Sequence, residues 1–375
     1  MYSELKPLDD HGANTLSPQL ETTEQALRAY VTFIQCNADA AFVGLGDGSV
    51  RVYALSDNGV VNENGVNESA VSEELNGGPW QNLDPSCAKV FSAGGLPLCA
   101  AVCPVTQRLL LGTDQSCLLE VSGGELRNKA QLAKGWVEHV AVSASGLSAY
   151  ASNKTCYVLD GTRQLCQIPQ SAGSISGLQF SADSKDLAIA GYGGIGIWRV
   201  AENKLLHELQ YPGAHLNMRW SPDGRYLVTA TPDKEIHCWD LSKKTSFRMR
   251  GYPAKIRSLC WSADGKHLAA AGADSVTVWP FVNGNPSGKP PYEFGYSFEG
   301  IVTEVAAHPS EPIIAAGYNN GTVLMGRYLK GEAIIARAAS NDAVSALAWS
   351  GDGRQLFVGT QKGQLCRVAL KNPNF

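Results

Sequence analysis

No stretch of 18 apolar residues occurs anywhere in this 375-residue sequence, so a membrane-spanning helix is not expected. The start, MYSELKPLDDHGANTLSPQ, carries acids where a signal peptide needs a basic region, and it has no apolar segment behind them. A cytoplasmic protein is therefore expected. Also missing is any basic excess: 31 Lys and Arg stand against 35 Asp and Glu, a formal net charge of -4. Nucleic acid needs a cationic surplus to neutralise its phosphates, so neither nucleic acid nor a membrane is expected as a partner.

Metal and redox spacings are missing as well. The ten cysteines include no C-x-x-C, and the closest pair is Cys99 and Cys103. Cys36, Cys117, Cys156, Cys238, Cys260 and Cys366 fall within alternating apolar runs, where a reduced thiol acts as a small buried hydrophobe. The seven histidines, His11, His139, His207, His215, His237, His267 and His308, show no H-x-x-x-H spacing. His237 and Cys238 are adjacent on an expected strand and point to opposite faces, so they do not ligate one ion easily. No G-x-S-x-G elbow or paired-carboxylate phrase marks a catalytic centre. GYGGIG at 191–196 matches G-x-G-x-x-G, but IGIWRV follows as a strand and not as the phosphate-binding helix the motif requires. These observations predict no catalytic residues, no metal and no cofactor.

What the sequence does contain is a repeat. GLQFSADSKDLAIAG (177–191), NMRWSPDGRYLVTAT (217–231), SLCWSADGKHLAAAG (258–272) and ALAWSGDGRQLFVGT (346–360) share one phrase. Its aromatic anchors are Phe180, Trp220, Trp261 and Trp349, the first three spaced 40 and 41 residues apart. Weaker copies lie at 31–46, 100–113, 140–152 and 303–317, which makes eight units. In each unit an apolar run meets a tight turn, then a second run, a short loop and a third alternating run. Ser-Pro-Asp-Gly at 221–224 puts proline where a fixed φ is wanted and glycine where φ is positive, so the turn makes a hairpin. YLVTAT and EIHCWDL are β-branched and aromatic with period two, which predicts strands. A fourth, more polar run, such as KLLHELQ (204–210) or AIIARAA (333–339), closes the unit. The expectation is an all-β closed β-propeller of four-stranded antiparallel blades, eight blades favoured and seven the alternative.

Over residues 29–370 these phrases resemble the WD40-repeat family, in the manner of bacterial single-domain propellers with degenerate repeats. The Trp-Asp dipeptide appears once, as Trp239-Asp240, and other third runs end in Trp198-Arg199, Trp279-Pro280 or Val52-Tyr53. No Gly-His dipeptide occurs. That departure counts against the Asp-His-Ser-Trp tetrad that buttresses typical WD40 blades, leaving packing and the S-x-D-G turns to hold these. Beyond the family, RGYPAKIRSLCWS (250–262) and SVTVWPF (275–281) are similar to bacterial propellers associated with CobW-type metal-chaperone GTPases. That resemblance implies a GTPase of this type as a partner.

The last unit ends at Leu370 without a fourth strand, and an open sheet edge is an aggregation hazard. An N-terminal arm, residues 1–28, is expected to supply the closing strand, followed by the propeller at 29–370 and a short tail at 371–375. Residues 57–86 carry six acids and no Lys or Arg and read as a long acidic loop. FVNGNPSGKPPYEFGY (281–296) reads as an irregular loop.

On the face holding the connections between blades, together with the turns between second and third strands, aromatic residues recur. There we place Trp136, Tyr192, Tyr211, Tyr252, Tyr296, Phe298 and Tyr318, with His215, Lys255 and Arg257 beside them. Interface hot spots are enriched in Tyr, Trp and Arg, which bury much area at low entropic cost. The alternative for each tyrosine is packing against its own blade. The sequence thus predicts a non-catalytic scaffold that binds a protein or peptide partner through this face, a monomeric propeller within a complex. A propeller hydrolase or lactonase with its site in the central channel is the rival, and it would need several acids or histidines there.

Overall fold

The computed structural model describes residues 20–55, 89–122, 124–170, 173–286, 288–296 and 300–371. The acidic segment 57–86, Phe298 and most of the N-terminal arm lie outside the described residues.

The S-x-D-G phrase folds as its chemistry requires. Ser221 Oγ donates to Asp223 Oδ1 at 2.5 Å and accepts from the amide of Tyr226 at 2.8 Å. Asp223 Oδ1 also accepts from the amide of Arg225 at 3.0 Å. Gly224, at φ 72°, supplies the left-handed residue that lets the chain reverse. The pattern repeats at Ser262 and Asp264 and at Ser350 and Asp352. In SADSKD the same serine and aspartate contacts form, and Ser184 takes the positive φ of 63° that glycine holds elsewhere. Each turn pre-forms the hairpin between the innermost and second strands of a blade.

Eight four-stranded antiparallel sheets result, and the described residues contain no helix. In chain order the blades span 31–92, 97–131, 139–169, 175–210, 217–249, 259–294, 302–337 and 344–370, here blades 1 to 8. Three strands of blade 8 come from the C-terminal end. Its outermost strand is Leu20–Ala26, paired antiparallel with Gln364–Leu370 from Leu20↔Leu370 to Ala26↔Gln364. Second strands such as Gln355–Thr360 are buried throughout, whereas outer strands such as Lys204–Gln210 are largely wet. Residues 281–296 are not wholly irregular, because Tyr292–Phe294 pairs with Val276–Val278 as the outermost strand of blade 6.

Each innermost strand contacts the next around a complete ring, and Val31–Cys36 of blade 1 touches both Pro97–Val102 of blade 2 and Val344–Trp349 of blade 8. Apolar side chains fill the wedges between blades: Ile168, Phe180 and Ile189 between blades 3 and 4, and Leu20, Met325, Trp349 and Val368 between 7 and 8. The repeated anchor aromatics also stitch blades together, since Trp220 Nε1 donates to the Gln179 carbonyl at 3.3 Å and Trp349 Nε1 to that of Ala306 at 3.2 Å. Hydroxyls do the same, with Thr303 Oγ1 to Val344 O and Ser345 Oγ to Val31 O, each at 2.8 Å. The nine described cysteines are free thiols; Cys156, Cys238 and Cys366 are buried, and Cys36, Cys117 and Cys260 are half-buried.

Candidate functional site

One face of the ring, called upper here, carries the connections from each outermost strand to the next innermost strand and the turns between second and third strands. Chain reversals at these positions expose whatever residue sits at the tip. Thirteen large apolar side chains are exposed among the described residues, and six lie on this face: Tyr30, Leu96, Trp136, Tyr192, Leu216 and Tyr296. Among the described residues, which exclude the 56–88 connection, Val105, Val282 and Leu329 lie in the connections of the opposite face. Trp136 and Tyr192 are 58% and 61% exposed, a large apolar area to leave in water without a use. Lys255 and Arg257 are exposed on the same face, in the connection between blades 5 and 6.

Four of the aromatic and imidazole residues expected on this face point inward instead. Tyr211, His215, Tyr252 and Tyr318 are all buried. The Tyr211 hydroxyl donates to Asp233 Oδ2 at 3.1 Å, and its ring lies 5.1 Å from His237 and 5.2 Å from His215. Tyr252 Oη accepts from Trp279 Nε1 at 2.7 Å. The Tyr318 hydroxyl donates to the carbonyl of Gly295. The physical reason is common to all four: these rings cover the upper ends of buried strands and find a polar partner there, Tyr211 and Tyr318 in a neighbouring loop and His215 and Tyr252 on a strand of the adjoining blade. The sequence signal that found them was sound in position, but a loop aromatic cannot be assigned to core or surface from its neighbours in the chain.

His215 also corrects the reading of the tetrad. It follows Gly213 by two positions and so escapes a Gly-His search, yet its Nδ1 lies 3.1 Å from Thr229 Oγ1, and its ring is 6.0 Å from Trp239. A histidine, a hydroxyl residue (Thr229 where the tetrad has Ser) and a tryptophan thus meet in blade 5, while Asp233 serves Tyr211. Blade 6 makes the equivalent contact to its tryptophan through Tyr252. His237, 4.3 Å from Trp239 between ring centres, has neither ring nitrogen hydrogen-bonded. Burial pushes both imidazoles down to about 4, each with a nearby cation or potential cation adding to the effect: His237 for His215, Arg248 for His237.

The central channel is lined by the innermost strands. Their described residues contribute one carboxylate, Glu304, and one imidazole, His139. Arg219 faces away from Met218 and Trp220, which pack against blade 4, and its electrostatic neighbours Cys260 and Glu304 sit on the innermost strands of blades 6 and 7. Its Nη1 donates to the carbonyl of Met218 at 2.8 Å. Burial raises the Glu304 carboxyl to about 7 against the opposing pull of Ser258, Arg219 and Arg257. Among the described residues no three His, Cys, Asp or Glu side chains gather as a metal site. On the lower face a cleft of about 430 Å³ opens between blades 4 and 5, lined by Asp183, Asp186, His207, Trp220 and Asp223. Its carboxylates are committed: Asp183 and Asp223 hold their turns and Asp186 pairs with Arg199 at 2.5 Å.

With this geometry established, comparisons with known proteins place the fold. The family model described as WD domain, G-beta repeat, matches residues 204–240 and 243–279, which take the outer strand of blade 4 through the third strand of blade 6. Curated proteins yield no match. Among solved structures, the computationally designed Ika8 protein superposes with a TM-score of 0.70 at 14% identity, covering 93% of this chain and 98% of its own. The WD40 repeats of RRP9 superpose with a TM-score of 0.56 at 17% identity, covering 73% of this chain and 94% of theirs. The chain carries WD40 repeats in an eight-bladed β-propeller.

Proposed function

We propose that this WD40-repeat propeller is a non-catalytic scaffold whose upper face docks a protein or peptide partner. WD40 propellers commonly serve as protein-interaction scaffolds, and the observation that carries the reading for this chain is the concentration of exposed apolar side chains on one face. Trp136, Tyr192 and Tyr296 are the anchors retained from the aromatic pattern; Tyr30, Leu96 and Leu216 join them. Rigidity is the mechanism. A closed ring presents its loops already ordered, so association loses little conformational entropy.

The test is affinity capture with the wild-type chain beside a Tyr30→Ala, Trp136→Ala, Tyr192→Ala, Tyr296→Ala variant. All four positions are exposed, so the variant keeps its fold, and circular dichroism checks that it does. A partner held by the wild type and lost from the variant is the expected result; retention of every partner refutes the face. Tyr211 and Tyr252 do not belong in such a variant, because their removal would damage the core.

The similarity of RGYPAKIRSLCWS and SVTVWPF to propellers associated with CobW-type GTPases supports a GTPase of that type as the partner. Co-elution of the purified pair on gel filtration tests this, and separate elution at micromolar concentrations removes it.

A further inference from the structure

We infer that the connection between blades 4 and 5 is an acid-released latch. Protonation of His215 and His237 frees residues 211–216, and with them two exposed residues of the upper face, Tyr192 and Leu216. The inference rests on the docking reading and specifies its regulation. His215 and His237 are both buried, and one pair of rings joins them. Tyr211 lies 5.2 Å from His215 and 5.1 Å from His237, and Trp239 lies 6.0 and 4.3 Å from the same two. Nδ1 of His215 meets Thr229, but its Nε2 and both ring nitrogens of His237 are buried with no hydrogen-bond partner among the described residues. The connection in turn holds the exposed turn of blade 4. Tyr211 donates its amide to the Gly193 carbonyl at 3.0 Å and Gly193 donates to that of Gly213 at 2.9 Å, which fastens the turn carrying Tyr192. Leu216 follows His215 directly and is held by its amide on the Ala230 carbonyl at 2.9 Å.

The groups packed around the pair offer an imidazolium no home. Blade 4 presents Ala190, Ile195 and Leu209, and the inner strands of blade 5 present Met218, Leu227 and Thr229, none of them charged. Arg248 is the cross-strand neighbour of His237 and repels a second positive charge. Glu235, two residues before His237, is already shared by Arg248 and Arg250 at 3.4 and 2.8 Å. It is the acid that favours a charged His237, and burial and Arg248 outweigh it. Asp233 takes the hydroxyl of Tyr211, and Lys234 reaches away to the Pro253 carbonyl. A proton on either ring therefore adds a buried charge without an acceptor, which the closed packing opposes and water does not. Burial accordingly holds both imidazoles down at about 4, against 6.5 in water. Opening the connection restores the ordinary value, so the open form binds protons first and gains as pH falls through 6.5 toward 4. Between pH 7 and 5 its population rises about twentyfold for one uncovered imidazole and about several hundredfold for both.

The experiment follows amide hydrogen exchange of the full chain by fragmentation mass spectrometry at pH 7 and pH 5, each rate divided by that of an unstructured peptide at the same pH. The amides of Gly193, Tyr211, Gly213 and Leu216 should lose protection at least tenfold at pH 5. Those of Ser340 and Asn341, which bond the Asn320 carbonyl in the connection between blades 7 and 8, should keep theirs. His237→Phe fills the same space without a titrating nitrogen and should shrink the loss at least threefold. The comparison of the two connections in the wild-type chain decides the matter even without that variant. A loss below tenfold at the four amides overturns the inference, as does an equal loss at Ser340 and Asn341 or an undiminished loss in His237→Phe. Exchange needs no partner, so it is independent of the affinity capture that tests the docking face. Failure of that capture strikes the docking face and the regulatory role with it, while exchange continues to decide the latch.

Discussion

The hydroxyl oxygen of Tyr252 accepts a hydrogen bond from the indole Nε1 of Trp279 at 2.7 Å, joining a blade-connecting loop to the third strand of blade 6. In blade 5 the corresponding loop sends His215 to Thr229 beside Trp239. Two adjacent repeats thus brace their inner strands with different chemistry, one through a phenol to the third strand and one through an imidazole to the second, and each brace makes its own prediction.

Tyr252→Phe keeps the ring and removes the acceptor, leaving the Trp279 N–H without a partner. A loss of about 1–2 kcal/mol in urea unfolding is expected. Affinity capture by the upper face should be unchanged, since the buried hydroxyl faces no partner.

The imidazoles of His215 and His237 lie at about 4 in the folded chain against 6.5 unfolded, so the unfolded chain takes up their protons first. Their stability contribution is complete above pH 6.5 and is lost as pH falls from there toward 4. Burial makes this as large as about 3 kcal/mol for each. His237 has no hydrogen bond to lose, so His237→Phe should match or exceed wild-type stability at pH 7 and flatten the unfolding midpoint between pH 6.5 and 4. A steeper acid loss in the variant would refute the assignment.

Asp240 responds in a lower window. Burial opposes its charge, but Arg225 at 2.8 Å, Ser242 at 2.6 Å and the amide of Lys243 at 3.1 Å outweigh that and hold the carboxyl down at about 2, below its ordinary 3.8. Its depressed value means stability is present above pH 3.8 and is lost as pH falls through 2. Asp240→Asn should cost about 2 kcal/mol at pH 7 and reduce the slope between pH 4 and 2, to which the lowered Asp47, Asp183, Asp264 and Asp352 also contribute, while leaving the histidine window intact.

Removal of residues 1–26 strips the outermost strand from blade 8 and breaks the ion pair of Glu24 with buried Arg337 at 2.8 Å. The exposed edge of Gln364–Leu370 then offers unpaired backbone groups to another chain. The truncated protein is expected to elute as aggregates by light scattering, whereas Glu24→Gln should stay monodisperse with a lower midpoint.

The sequence by itself determined the repeat, the strand content and the hairpins. Those depend on local chemistry: Ser, Asp and Gly at fixed offsets in the turn from Ser221 to Gly224, and period-two alternation in the runs after it. It also located the aromatic residues at the upper ends of the blades. Only the tertiary structure decided which way each one points. Tyr192 and Tyr211 both sit in glycine-containing loops, and they are told apart by the neighbouring blade, which gives Tyr211 the rings of His215 and His237 and leaves Tyr192 61% exposed. The channel setting of Arg219 and Glu304 was hidden for the same reason. They lie 85 positions apart in the sequence, and only closure of the ring brings the strands that carry them around one axis.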